Sequence, residues 1–373
     1  MKQEETMDVP VRRLKQRVRA LAVFCLAIAV PVTQGMACST VAFPAQTAPL
    51  LSYNFDFAET GAGYLILNPA KIRRQSVLEA APAKWVARFG SITVNQIGPG
   101  MPTAGMNSAG LVVTLMWNEA AVYGGPQAAP ALSELEFIQY LLDTSGSVEE
   151  ALASLDRIRI EGLVPIHYFL FDGTGEAAVV TPTADGLSVN TGAGLPVPAL
   201  TNNGYELSFD HLGQYRGFGG DMPIPERQRS DEDNSLDRFA IAANATRFAR
   251  KGITSTEAFG VLNRLSNPET RWQLVFEPLA QVINLRVPQM ANTYVFDLAG
   301  QDFACKGQPV AADLRDLPAD LNLETLQPLD PDQLAGSLVE VFMSMRQTAH
   351  LGQREIAGGI AAGLIAAASC TPE

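Results

Sequence analysis

The sequence predicts an α+β fold of antiparallel sheets covered by helices, and three features of its patterning carry that prediction. Strand-like and helix-like runs come in blocks rather than in strict alternation, which argues against a parallel βαβ sheet. The run 110–117, Gly-Leu-Val-Val-Thr-Leu-Met-Trp, is almost wholly apolar, as a strand covered on both faces must be. Between two β-prone runs, 167–171 and 177–181, Asp172-Gly173-Thr174-Gly175 has the composition of a hairpin turn.

Residues 1–37 read as a secretory signal peptide. Arg12, Arg13, Lys15, Arg17 and Arg19 give a basic start, and 20–30 is an apolar stretch too short to span a bilayer. Gly35 and Ala37 then supply the small residues of a cleavage site. Cutting after Ala37 puts Cys38 at the head of an exported chain, periplasmic or extracellular. A lipobox also ends in cysteine, although Gly35 and Met36 stand where it wants Leu and a small residue. In that second reading Cys38 is acylated and the chain is a non-catalytic binding module.

After the leader, short β-prone runs occupy 39–43, 49–53, 64–68 and 91–97. Helical spacing takes over at 132–144, where Leu135, Ile138, Leu141 and Leu142 share a face behind Ser133 as N-cap. Ser147 and Glu150 form a capping-box pattern that opens a second helix running to Leu155. The segments 234–248 and 255–265 read as helices, and 272–277, 282–287 and 292–297 as an antiparallel meander. Residues 307–331, rich in Pro, Asp and Leu, predict a surface wrap. The tail 334–369 predicts helix, and its apolar, glycine-rich end suits close packing on its own domain or on a second subunit. The division is therefore a leader at 1–37, a catalytic domain at 38–306, and a segment at 307–373 that completes the same domain.

Without the leader the chain keeps 21 of its 27 Lys+Arg and 36 of its 39 Asp+Glu, so the formal charge moves from −12 to −15. Such acidity argues against nucleic acid and anionic membranes as partners. No CxxC, HExxH, P-loop or GxGxxG pattern occurs, so neither a metal nor a cofactor is expected. Of the four cysteines, Cys38, Cys305 and Cys370 follow the leader, and an odd number leaves one thiol unpaired. A Cys305–Cys370 disulfide is feasible and makes Cys38 the odd one. Whether the chain forms a homo-oligomer is left open.

A terminal cysteine carries a nucleophile and its own base. The thiol has an ordinary pKa near ~8.5 and an α-amine about 7.7–8.0, so the amine can take the thiol proton and later return it to a leaving nitrogen. Attack on an amide also needs donors for the developing oxyanion and an apolar cleft for the acyl chain.

Six motifs in order, Cys38, Asn54-Phe55-Asp56, Met106-Asn107-Ser108-Ala109-Gly110-Leu111, Pro165-Ile166-His167-Tyr168-Phe169, Thr201-Asn202-Asn203 and Ser235-Leu236-Asp237-Arg238-Phe239, resemble the choloylglycine hydrolase family. That family contains bile salt hydrolases and penicillin V acylases. The resemblance implies an N-terminal-nucleophile hydrolase, a four-layer αββα sandwich of two antiparallel sheets, and cleavage of a linear amide C–N bond. It makes Cys38 the nucleophile and Asp56 the carboxylate that holds the terminal amine and thiol. Asn202 becomes the side-chain half of an oxyanion hole, the Trp117 N–H its other half, and Arg238 the active-site arginine. Tyr53 and Trp117 fall to substrate binding, Asn54 to support behind the catalytic residues, and His167 to a structural role in a strand. An aromatic residue at 117 is similar to the secreted acylases of Gram-negative bacteria more than to intestinal bile salt hydrolases.

One position departs from the family pattern. An Arg commonly precedes the Asn-x-Asp, and Tyr53 stands there instead. Its absence removes a cation that lowers a thiol pKa and binds anionic substrates. The expected substrate is a small-molecule N-acyl amide with an apolar acyl part: an acyl homoserine lactone, a penicillin-like amide or another fatty acyl amide, in that order. Acyl transfer to an amine through the same thioester stays open.

Overall fold

A computed structural model describes residues 37–45, 47–57, 63–124, 128–227, 235–249 and 252–370, all within one compact unit. The leader expected at 1–36 lies outside the described residues.

Strand β1 (Ser39–Phe43) pairs antiparallel with β2 (Leu50–Asp56), and every residue of both is buried. These two strands sit inside a six-stranded sheet that runs Ala199–Leu200, β1, β2, Thr270–Glu277, Val282–Arg286, Thr293–Asp297. Opposite lies a nine-stranded sheet whose centre is Ile166–Phe171, Val112–Trp117, Met101–Asn107 and Ser91–Gly98. The sheets touch at Thr40, whose hydroxyl lies 2.9 Å from that of Thr114 and 3.1 Å from the Met116 sulfur. Side chains alternate along a strand, so Thr40 and its cross-strand partner Tyr53 face the second sheet, while Ser39 and its partner Asn54 face the other way.

Helices close both outer faces. Ser235–Phe248 packs on β1 and Ser255–Leu265 on β2, while Glu136–Thr144 covers the second sheet beside the C-terminal pair Pro331–Ser344 and Arg354–Ala368. This is the four-layer order helix, sheet, sheet, helix. It explains why the central strands have no exposed face: each is covered twice.

Several expected elements change at their edges. The helix expected over 132–144 begins at Glu136, because Ala131–Ser133 pairs as a strand with Arg159–Glu161. Ser133 still caps it, accepting from the Glu136 N–H at 3.2 Å while its own N–H donates to the Glu136 carboxylate at 2.9 Å. The next helix starts after Ser147 as expected but stops at Leu152 and gives way to a 3₁₀ turn, Leu155–Arg157. The surface wrap contributes two strands, Val310–Asp313 and Gln327–Pro328, that extend the second sheet. Its helical tail is two helices broken near Met345, and Cys305 and Cys370 form a disulfide across their base, Cα atoms 6.0 Å apart. No helix among the described residues is long and apolar enough to cross a membrane.

Met101–Asn107 escaped the sequence pattern altogether. Pro102 cannot donate to a ladder, and the register slips there between Val94, Asn95 and Gly98. Gly105 permits a close approach, since a Cβ on it would lie 2.6 Å from the Thr93 methyl. The following turn is held by Asn107, whose carbonyl oxygen accepts from Ala109 and Leu111 N–H while its amide donates to the Leu142 and Ser145 carbonyls. One side chain thus satisfies four main-chain groups at a buried turn.

Candidate active site

Cys38 immediately precedes β1 and is fully buried, with Ala37 still joined to it and itself 1 % exposed. It is the free cysteine among the described residues. The thiol donates weakly to the Asp56 carbonyl at 3.8 Å, just beyond the end of the β1–β2 ladder. Asp56 is the last residue of β2 and fully buried, so it is a strand residue and not part of a turn.

Arg238 reaches the same point from helix Ser235–Phe248 and is 0 % exposed. Its guanidinium donates to the Ala37 carbonyl, to the Cys38 carbonyl at 2.6 Å, to the Ser39 hydroxyl at 2.6 Å and to the Asn202 side-chain oxygen at 2.8 Å. Only a rigid fork of several donors can bind this many acceptors from one position. Because Arg238 offers donors alone, it fixes the Asn202 amide with oxygen toward the guanidinium and the NH₂ end away from it. The segment bearing Asn202 is itself pinned to the helix start: the Ser235 hydroxyl donates to that of Thr201 at 2.9 Å and accepts from the Asn203 N–H at 2.9 Å. Arg238 therefore ties the nucleophile's main chain to Asn202.

Electrostatically the uncut site holds a neutral thiol. Burial pushes Cys38 up to about 12, and the Asp56 charge adds to the rise. The Asp56 main chain, the Arg238 cation and the Tyr53 hydroxyl all pull the other way without prevailing. At neutral pH the thiol of a chain still carrying Ala37 is protonated and sealed from solvent.

Tyr53 is fully buried and turns its hydroxyl toward the Cys38 thiol and Thr103. Asn54 points to the opposite face, as strand alternation requires. Its NH₂ donates to the Leu262 carbonyl at 3.0 Å and the Ser266 hydroxyl at 3.2 Å, bracing β2 against helix Ser255–Leu265. It supports the strand and does not converge on the thiol. Trp117, half-buried at the end of its strand, donates from its indole to Glu119 at 2.6 Å and follows Met116, which touches Thr40.

His167 has a larger part than its sequence reading gave it. Its Nε2 lies 2.8 Å from the Thr201 carbonyl and must donate there, which leaves Nδ1 to accept from the Asn118 amide at 3.3 Å. The ring thus links the residue after Trp117 to the residue before Asn202. Burial depresses its pKa from 6.5 to about 4. The unfolded chain binds a proton that the folded state refuses, so this contribution is intact above pH 6.5 and is lost as pH falls toward 4, a change of about 3 kcal/mol. Denaturant midpoints measured from pH 7 to 4 should fall through that window, and His167→Gln should flatten the fall. An equal decline in both proteins would remove His167 as its source.

Sequence reasoning passed over Ser39, Thr201, Ser235 and Asn118. Thr201 and Ser235 lay inside the quoted motifs and Ser39 directly after Cys38, where their hydroxyls could have been flagged as partners for buried groups; Asn118 carries no local signal. Among the described residues no cluster of three His, Cys, Asp or Glu could hold a metal.

The family described as linear amide C-N hydrolases, choloylglycine hydrolase family, matches residues 38–248. A penicillin V acylase of Pectobacterium atrosepticum is 24% identical over 189 residues, 45% of this chain and 50% of the relative, so the chain spans half the length of the curated relative it matches. Among solved structures, penicillin V acylase from Agrobacterium tumefaciens superposes with a TM-score of 0.68 at 21% identity, covering 79% of this chain and 98% of the other. A variant of conjugated bile acid hydrolase from Clostridium perfringens gives 0.60 at 16% identity, covering 71% and 94%. The likeness to these structures establishes a shared N-terminal-nucleophile hydrolase fold.

Proposed function

The chain belongs to the choloylglycine hydrolase family of linear amide C-N hydrolases, and from that premise we propose that it hydrolyses an N-acyl amide through a thioester on Cys38 once Ala37 has been removed. The observation that carries this reading is the convergence on one buried cysteine of Asp56, Arg238 and, through Arg238, Asn202.

Cutting the 37–38 bond replaces a neutral amide with an α-amine and opens the thiol to solvent. The amine takes the thiol proton, and Asp56, buried beside it, holds the resulting ammonium. The thiolate sulfur bonds to the amide carbon. Its carbonyl oxygen becomes an oxyanion against the NH₂ end of Asn202 and the Trp117 N–H. As the tetrahedral intermediate collapses the C–N bond breaks, and the ammonium proton goes to the leaving nitrogen. Water, deprotonated by the same amine, then attacks the thioester and releases a carboxylic acid with the thiol restored. The acyl part is apolar and the enzyme is exported, in keeping with the basic and apolar leader pattern. The acidic charge of the mature chain suits a soluble protein in that compartment.

The test is the mature N-terminus. Intact mass and Edman sequencing of the exported protein should begin at Cys38 with an unmodified amine, and that species alone should hydrolyse a panel of acyl amides. Activity in a chain that retains Ala37, or a diacylglyceryl adduct on Cys38, would overturn the reading.

A further inference from the structure

Tyr53 is the one polar group at the thiol whose purpose the fold leaves unexplained. Its hydroxyl is fully buried and completes no ordinary hydrogen bond among the described residues. A buried hydroxyl without a partner is costly to the fold, so an orphan is retained where it serves a state other than the resting one. Its polar neighbours are Cys38 and Thr103, and the Thr103 hydroxyl already donates to the Val94 carbonyl at 2.9 Å. Placement is set by register: Tyr53 lies opposite Thr40, two residues from Cys38, on the strand face turned toward the second sheet.

We propose that Tyr53 is a catalytic residue whose hydroxyl donates a hydrogen bond to the Cys38 thiolate, supplying with a neutral donor the stabilisation that no side-chain cation at this position provides. In the resting chain the sulfur carries its own proton and accepts poorly, which leaves the hydroxyl idle. Once the proton moves to the amine, the sulfur becomes a charged acceptor and the O–H gains its partner. Tyr53 itself stays protonated throughout, since burial and the neighbouring sulfur and Asp56 charges drive its pKa well above 10.0. The inference rests on Cys38 being the nucleophile.

The test separates the two ideas by reading the thiol without any amide substrate. Protein beginning at Cys38 is alkylated with iodoacetamide across a pH series, and modification of the Cys38 peptide is followed by mass spectrometry; Cys305 and Cys370 are held in their disulfide. A hydrogen bond to a charged acceptor is worth about 1.5–3 kcal/mol, or at least one pKa unit. Tyr53→Phe should therefore move the alkylation midpoint up by about one pH unit or more and slow alkylation at pH 7 about tenfold, in line with the same stabilisation. The acid limb of kcat/KM should move with it. Thermal stability should hold, because the hydroxyl has no other partner to lose. An unmoved midpoint overturns the proposal, as does a rise in KM alone or a large fall in Tm, which would make Tyr53 a substrate-binding or a structural residue. None of these outcomes bears on the nucleophile, which fails if Cys38→Ser still turns substrate over.

Discussion

Cys38→Ser is expected to lower amide turnover at least ~10³-fold, and Cys38→Ala to abolish it, with Tm nearly unchanged in both. A serine hydroxyl is far less acidic than a thiol, so an α-amine of ordinary pKa cannot prepare it as a nucleophile to the same extent. The Asp56 main chain, Asn202 and Arg238 remain in place around it, so binding persists while the covalent step fails. Stability is preserved because the hydrogen bond the thiol donates, to the Asp56 carbonyl at 3.8 Å, is weak. Stopped-flow mixing of the unaltered protein with a chromogenic acyl amide should also reveal an acyl-enzyme of the expected mass. Undiminished turnover in Cys38→Ser, with the mass of the variant confirmed, would mean that the nucleophile lies elsewhere.

The second large effect belongs to Arg238. Arg238→Met should reduce kcat by ~10²–10³-fold and lower stability by about 3–5 kcal/mol, since in the protein beginning at Cys38 it strips donors from the Cys38 carbonyl, the Ser39 hydroxyl and the Asn202 side-chain oxygen at once. Because loss of folding alone could mimic loss of catalysis, Arg238→Lys is the more informative variant. A lysine keeps the positive charge but presents a point rather than a fork, and it cannot hold the Cys38 carbonyl and the Asn202 oxygen together. We expect it to fold, to bind substrate with little change in KM, and to lose kcat about ten- to hundredfold, in the range seen when a positioned oxyanion donor is displaced. Full activity in Arg238→Lys would show that charge, not geometry, is what the site takes from this residue.

These two predictions differ in how far the sequence alone could support them. Cys38 was legible early, as the residue after a cleavage pattern and as the odd cysteine beside a feasible pair. The Cys305–Cys370 disulfide in the structure keeps that arithmetic intact. Arg238 was not legible from its surroundings, for a charged residue between Asp237 and Phe239 on a helix usually faces water. Resemblance to a family singled it out, and the structure gives the physical reason it sits at 0 % exposure: four acceptors converge on it. Asn54, read from the sequence as support behind the catalytic residues, bonds to the Leu262 carbonyl and the Ser266 hydroxyl and braces β2 against the helix layer.

Local order was what the sequence determined by itself: the layering class, the strands Ser39–Phe43 and Tyr64–Asn68, the helix Ser255–Leu265, the capping pairs, and one cysteine set apart from two others. Each of these depends on periodicity, caps or counting, which act over a few residues. Tertiary structure decided what depends on which elements meet in the fold. It made a strand of Met101–Asn107 despite its proline, because neighbours on both sides supply the pairing. It set a buried arginine across from residues 200 positions away, joined Asn118 and Thr201 through His167, and left the Tyr53 hydroxyl facing a thiol with no ordinary hydrogen bond completed among the described residues. Hydrogen bonds and burial are properties of where atoms meet, and no local pattern encodes a meeting between distant segments.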